Sequence, residues 1–72
     1  MRYFIHVISK EHINVDRDGM EFATPQEADD YGAVIASEIG MDDADYSDTE
    51  VSVVNSAGHE IARHPVVRRL AS

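Results

Sequence analysis

The sequence contains no cysteine and no tryptophan, and its apolar runs are only a few residues long. Without cysteine, disulfides and thiolate metal sites are excluded, although a chain of 72 residues forms only a marginal core. Runs this short cannot span a bilayer, and the opening residues lack the long apolar segment of a signal peptide. We therefore expect a cytoplasmic protein with no membrane association and no cofactor.

Basic residues are also scarce, with six Lys and Arg against fourteen Asp and Glu and a formal net charge of −8. All the acids lie in residues 1–60, whereas residues 61–72 contain three arginines and no acid. An acidic body repels phosphate backbones and attracts basic proteins, so binding to nucleic acid is not expected. We predict a single α+β domain over residues 1–64, followed by a short basic C-terminal tail over residues 65–72.

Alternating apolar residues predict strands in the first third of the chain. Residues 2–8 are β-branched and aromatic and are apolar on both faces, which is typical of an inner strand. Residues 13–16 alternate as a half-buried second strand, and Asp18-Gly19 indicates a turn or a bulge. Residues 20–22 either continue the second strand beyond a bulge or form a short third strand, and we favour the bulge.

The clearest local signal is a helix start at Thr24-Pro25-Gln26-Glu27. In this capping box the Thr24 hydroxyl accepts from the Glu27 amide, and the Glu27 carboxylate bonds back to the Thr24 amide. We predict a helix over residues 25–39, with Gly40 as a left-handed C-terminal cap. Its inward stripe at helical spacing consists of Ala28, Tyr31, Gly32, Ile35 and Ile39.

A second hairpin is predicted after the helix. Residues 41–49 are rich in aspartate and indicate a solvated loop, and residues 50–55 and 59–63 are predicted strands. Ser56-Ala57-Gly58 is the turn between them, with Gly58 in a left-handed conformation. The predicted fold is α+β with the order β-β-α-β-β, in which the single helix packs on one face of a four-stranded antiparallel or mixed sheet.

Residues that could carry chemistry do not form a known motif. The four histidines, at positions 6, 12, 59 and 64, lack the spacing of a zinc site. A group of loop acids resembles a calcium loop, but the required glycine and final glutamate are out of place; the group is Asp42, Asp43, Asp45, Asp48 and Glu50. No metal site is therefore predicted. Because nucleophile motifs and phosphate loops are also missing, the protein is not expected to be an enzyme.

Several short patterns together resemble a bacterial family of short uncharacterised proteins that is classed as a domain of unknown function. They are Arg2-Tyr3-Phe4-x-His6-Val7, Asp16-x-x-Gly19-x-Glu21, the capped acidic helix, Glu50-Val51-x-Val53 and Ala57-Gly58. The sequence departs from the pattern at two places. Ile5 stands where an aromatic residue is common, and the loop after the helix is unusually acidic. The resemblance implies no activity, cofactor or catalytic residue.

The resemblance does single out pattern positions, and the candidates for a binding site among them are Tyr3, His6, Asp16 and Glu21. Tyr3 and His6 are expected on opposite faces of the first strand, because side chains alternate along a strand. Gly19 is interpreted as a backbone requirement of the turn, and Asp16 is expected to bond turn amides.

Two functions remain open from the sequence. We favour a non-enzymatic protein-interaction or regulatory module, because the chain is small and acidic and lacks catalytic motifs. The alternative is a small-ligand or cation-binding domain that uses His6 or the acidic loop of residues 42–50.

A count of apolar faces predicts a homodimer. The first strand is apolar on both faces, but one helix covers only one face of a sheet. Either the tail or a second copy of the chain must cover the other face, and a second copy covers it more fully.

Overall fold

The structure is a computed structural model that describes residues 1–41 and 48–67. In chain order its elements are β1 (Arg2–Ile8), β2 (Ile13–Asn14), β3 (Met20–Glu21), α1 (Pro25–Ile39), β4 (Glu50–Asn55) and β5 (Glu60–Pro65). The helix packs against the last two strands of a five-stranded antiparallel sheet, so the predicted α+β class with one helix on a sheet is confirmed.

The sheet has the order β2-β1-β4-β5, and β3 also pairs with β1. Both short strands lie along the edge of β1 that faces away from β4. Their registers differ by two residues, because Val7 pairs with Asn14 whereas Arg2 pairs with Glu21. The bulged second strand that we favoured is therefore two short strands joined by a loop, and the sheet has five strands rather than four.

The helix starts where the capping pattern predicts. Thr24 is extended at φ −139° and ψ 157°, and its hydroxyl accepts from the Glu27 amide at 3.2 Å. We predicted that the Glu27 carboxylate accepts from the Thr24 amide, but it accepts from the Ala23 amide instead, at 3.2 Å. The box therefore also binds the residue that leads into the helix.

The helix ends at Ile39, as predicted, but Gly40 is not a left-handed cap. Its φ of −74° and ψ of 1° continue the helical turn, and its amide donates to the Ala36 carbonyl at 3.2 Å. A Cβ on Gly40 would overlap the Val67 carbonyl oxygen. Glycine is needed here because the chain after β5 crosses this end of the helix.

The core lies between α1 and the central strands. One cluster joins Tyr3, Ala28 and Val53, and a second joins Ala36, Val51 and Val66. The most buried helix residues are small, namely Ala28, Gly32 and Ala36, whereas the predicted Tyr31, Ile35 and Ile39 are half-buried at the border of the stripe. Val66, which we assigned to the tail, is 4% exposed and forms part of this core.

The strand register assigns side chains to the two faces of the sheet. Tyr3, Ile5 and Val7 lie on the face that α1 covers, because they pair with β4 residues in line with the core. The opposite face is called here the open sheet face, since no helix or strand within residues 1–41 and 48–67 covers it. Its residues are Arg2, Phe4, His6, Ile8, Ile13, Glu21, Glu50, Ser52, Val54, Glu60 and Arg63.

Candidate functional site

At the edge of β1, the side chain of the pattern residue Asp16 provides a hydrogen-bond acceptor in place of a neighbouring strand. Its Oδ2 accepts the Ile5 amide at 3.1 Å, a donor that an edge strand would otherwise bind. Its Oδ1 accepts the amides of Asp18 at 3.2 Å and Gly19 at 3.1 Å, so the expectation that Asp16 bonds turn amides is confirmed. One carboxylate thus fixes the loop between β2 and β3 to the central strand.

His6 contacts the same residue. Its Nδ1 accepts the backbone amide of Asp16 at 3.1 Å, which requires that this nitrogen carry no proton. His6 pairs across the sheet with Ser52 on the open sheet face, whereas Tyr3 lies on the covered face. The two residues are therefore on opposite faces, as predicted, and His6 and Asp16 form one contact pair that we call the edge cluster.

The hydrogen bonds determine the charge of Asp16. Desolvation by itself would raise the pKa of this carboxyl group, but backbone hydrogen bonds from Gly19, Ile5 and Asp18 and the neighbouring His6 lower it. The result is a pKa below the ordinary value of 3.8. Asp16 is therefore ionised near neutral pH, and all its described bonds are to backbone amides.

Gly19 lets the loop lie against β1. Its φ is +72°, and a Cβ there would lie 2.8 Å from the Phe4 ring, 2.9 Å from Arg2 Cγ and 2.9 Å from the Tyr3 carbonyl. Both the conformation and the close approach exclude a side chain. The backbone requirement inferred from the sequence is confirmed.

The remaining two candidates lie apart from the edge cluster. Tyr3 is 1% exposed, and its ring meets Phe22 edge-on at a centroid distance of 6.0 Å. Glu21 is on the surface and faces Arg2 at 3.7 Å, while Arg2 also donates to the Asp18 carbonyl at 2.5 Å. Of the four candidates the structure brings together only His6 and Asp16, and a shared binding site stays a prediction.

A polar network on β4 and β5 was not predicted. Arg63 donates to Glu60 at 2.7 Å and to Glu50 at 2.9 Å, and the Ser52 hydroxyl donates to Glu60 at 2.7 Å. Hydrogen bonds from Arg63 and Ser52 lower the pKa of Glu60 to about 2. The partners are separated by up to thirteen residues in the chain, so only the strand register reveals the network.

A second unpredicted contact joins the helix to β5. His64 Nε2 lies 2.5 Å from Asp29 Oδ1, across 35 residues of sequence. Beside it a shallow groove of about 250 Å³ runs between α1 and the end of β5, lined by Ala33, Ala36, Ser37, His64, Pro65 and Val67. The histidine positions in the sequence, which lack the spacing of a zinc site, gave no signal of this contact.

The open sheet face is divided into two halves. The charged half, on β4 and β5, holds the network of Glu50, Ser52, Glu60 and Arg63. The apolar half, on β1 and β2, holds the side chains of Phe4, Ile8 and Ile13. Ile13 is 59% exposed, and Val15, which follows at the end of β2, is 54% exposed.

Within residues 1–41 and 48–67, no group of three His, Asp or Glu side chains is placed to hold a metal ion. The loop acids Asp42, Asp43 and Asp45, to which we assigned the weak resemblance to a calcium loop, lie outside the described residues. The part of the chain that the structure describes also contains no helix long and apolar enough to cross a membrane.

The fold and the edge cluster define a small α+β domain with no assigned chemistry. The chain belongs to the family described as Domain of unknown function (DUF6894), whose sequence model matches residues 2–67. No curated protein and no solved structure matches the chain significantly. The resemblance to an uncharacterised domain family is therefore confirmed, and the matched region extends past Pro65 to Val67.

Proposed function

We propose that this domain is a non-enzymatic protein-interaction module that binds its partner through the apolar half of the open sheet face. The observation that carries the proposal is the 59% exposure of Ile13, which pairs with the half-buried Ile8 on the face that lies opposite the helix. The half-buried Phe4 lies on the same face, and Val15, just after β2, is 54% exposed. Apolar side chains grouped on the surface of a small domain are typical of a protein interface.

The sheet edges support a contact through the face and not through an added strand. At the β1 edge the Asp16 carboxylate already binds the Ile5 amide. At the other edge β5 carries an irregularity opposite Val53 and Val54 and ends at Pro65, which has no amide hydrogen. Charged loops, bulges and prolines are features that oppose strand addition at an edge.

The pattern residues also support a binding role without chemistry. In the edge cluster, His6 Nδ1 and both Asp16 oxygens bind backbone amides that hold the loop in place. Their role is to shape the surface around β2, from which Ile13 projects. The proposal includes a cytoplasmic location and a bacterial origin, which fractionation and sequencing of a native host would test.

The test compares two exposed apolar residues on opposite sides of the molecule. Ile13→Asp places a charge in the apolar half, and Val34→Asp places the same charge on the outer side of α1, where Val34 is 51% exposed. Affinity capture from the native host should lose its specific partner with Ile13→Asp and keep it with Val34→Asp. Equal capture by both variants would refute the proposal.

The ligand-binding alternative has its own measurement. A ligand present at a hundred times its dissociation constant stabilises a protein by about 2.7 kcal/mol. A thermal-shift panel of metal ions and metabolites therefore detects any tight ligand, and His6→Gln tests whether His6 is involved. A stabilisation that His6→Gln abolishes would favour the alternative over the interaction module.

A further inference from the structure

We infer that the occupant of the apolar half is a second copy of this chain, which forms a two-fold dimer with the two sheets face to face. The inference rests on the proposed function, because it names the partner of the same surface. Three features support the inference, namely the distribution of the described charges, the size of the open sheet face and the arrangement of its two halves.

The first argument is the distribution of charge. The helix carries four acids, Glu27, Asp29, Asp30 and Glu38, and no lysine or arginine. On the open sheet face, in contrast, the described charges are paired. Arg63 is bound between Glu50 and Glu60, and Arg2 faces Glu21 at 3.7 Å. A basic partner would be attracted to the helix side, whereas a strongly acidic chain can approach its own copy only through a nearly neutral face.

The geometry of the dimer keeps the acidic helices apart. Face-to-face sheets pack about 10 Å apart, and each helix lies on the outer side of its own sheet. The two helices would thus be separated by both sheets, a distance well beyond the Debye length of about 8 Å at physiological salt. Repulsion between the acidic sides is then largely screened, while the apolar contact is retained.

The size of the face is sufficient. The molecule measures 38 × 25 × 16 Å. Because one helix on one sheet makes only two layers, we take the shortest dimension as the stacking direction. The open sheet face is therefore one of the two broad faces. The full face is of the order of the roughly 800 Å² per partner that a standard interface buries, and its apolar half alone corresponds to a small interface of less than about 1,200 Å² in total.

The two halves of the face determine how the copies align. Burying the ionised network of Glu50, Glu60 and Arg63 at the centre of an interface would cost its solvation. A two-fold axis that runs parallel to the strands, through the apolar half, places this half on the partner's apolar half and leaves the network of β4 and β5 outside the centre of the contact. The inferred contact is thus centred on Phe4, Ile8 and Ile13, with His6 among them.

The first experiment measures mass. Size exclusion coupled to light scattering, at tens of micromolar protein and moderate salt, should give twice the chain mass of 8.0 kDa for the native chain and for Val34→Asp. Ile13→Asp should give the single-chain mass while keeping the circular dichroism of the native fold. A native mass near 8.0 kDa, or a dimer unaffected by Ile13→Asp, would overturn the inference.

The second experiment does not depend on a variant of the interface. Because the chain has no cysteine, Val34→Cys introduces a single site for a spin label on the outer side of α1. Dipolar spectroscopy should show one distance of about 30 Å or more, since two layers separate each label from the interface. A short distance would place the helices in the interface, and the lack of any coupling would mean a monomer; either result rejects the inferred dimer.

The two proposals fail in different ways. If the purified chain is a monomer but Ile13→Asp still abolishes specific capture from the host, the face binds another protein and only the inference of a second copy is wrong. If the chain is a monomer and capture is equal for Ile13→Asp and Val34→Asp, the proposed function fails as well.

Discussion

At the scale of single residues, Gly19 and Gly58 share a positive φ but differ in their surroundings. The φ is +72° at Gly19 and +87° at Gly58, but only Gly19 has neighbours within 4 Å of the position of a Cβ. Gly58→Ala should therefore cost only the left-handed strain of about 1–2 kcal/mol. Gly19→Ala should cost at least about 1 kcal/mol more, because Phe4 and the β1 backbone must also move. Equal losses in urea unfolding would show that the loop lies farther from β1.

Asp16 links one residue to the acid stability of the domain. Its pKa is lowered in the folded state, so its contribution to the free energy of unfolding is fully present above the ordinary value of 3.8 and is lost as the pH falls through the folded value. Asp16→Asn turns an amide donor towards the Ile5 amide and should cost about 1–3 kcal/mol at neutral pH. The variant should lose less stability than the native chain between about pH 5 and pH 3. Asp18→Asn, which keeps the backbone amide bound by Asp16, is the control and should behave like the native chain.

At the scale of elements, the start of α1 depends on one hydroxyl. Thr24 Oγ1 accepts the Glu27 amide at 3.2 Å, and the hydrogen bond is exposed. Thr24→Ala leaves that amide to water and should lower the free energy of unfolding by about 1 kcal/mol. Thr24→Ser keeps the acceptor and should restore most of the loss. An unchanged free energy for Thr24→Ala would mean that the helix does not begin here.

The stability of the hairpin of β4 and β5 should depend on pH through Glu60. Hydrogen bonds from Arg63 and Ser52 lower the pKa of Glu60 from 4.5 to about 2. A lowered folded pKa means stability that is present above the ordinary value and lost as the pH falls towards about 2. Glu60→Gln should flatten the decline of stability within this window in pH-dependent thermal unfolding. Glu11→Gln, at an exposed turn, should leave the decline unchanged, and a flattening there too would mean that the network is not its source.

At the scale of the whole molecule, the net charge of −8 gives the inferred dimer a diagnostic salt response. Two acidic bodies repel each other, and added salt shortens the Debye length from about 10 Å at 0.1 M to about 3 Å at 1 M. The dimer should therefore strengthen modestly as salt rises, and analytical ultracentrifugation at several salt concentrations measures this. Dissociation by salt would indicate that ion pairs hold the copies together, and would contradict an apolar contact.

Features that depend on near neighbours in the chain could be inferred from the sequence alone. Thr24 and Glu27 are three residues apart, as are Asp16 and Gly19, so the helix start and the turn could be inferred from local hydrogen bonding. The β-branched and apolar runs of β1 and β4 likewise predicted those strands and the α+β class, but they did not predict the break between β2 and β3. These signals are local because each one is satisfied by the chemistry of a few consecutive residues.

Features that depend on strand register and on close approach could be seen only in the folded chain. The contact of His64 with Asp29 spans 35 residues, and Arg63 reaches Glu50 across thirteen. The position of Gly40 after the helix predicted a left-handed cap. In the structure, glycine is required there because a Cβ would clash with the Val67 carbonyl oxygen, which belongs to another segment of the chain. A chain cannot reveal such pairings locally, because a shift of one residue in strand register would place different side chains together and on the opposite face.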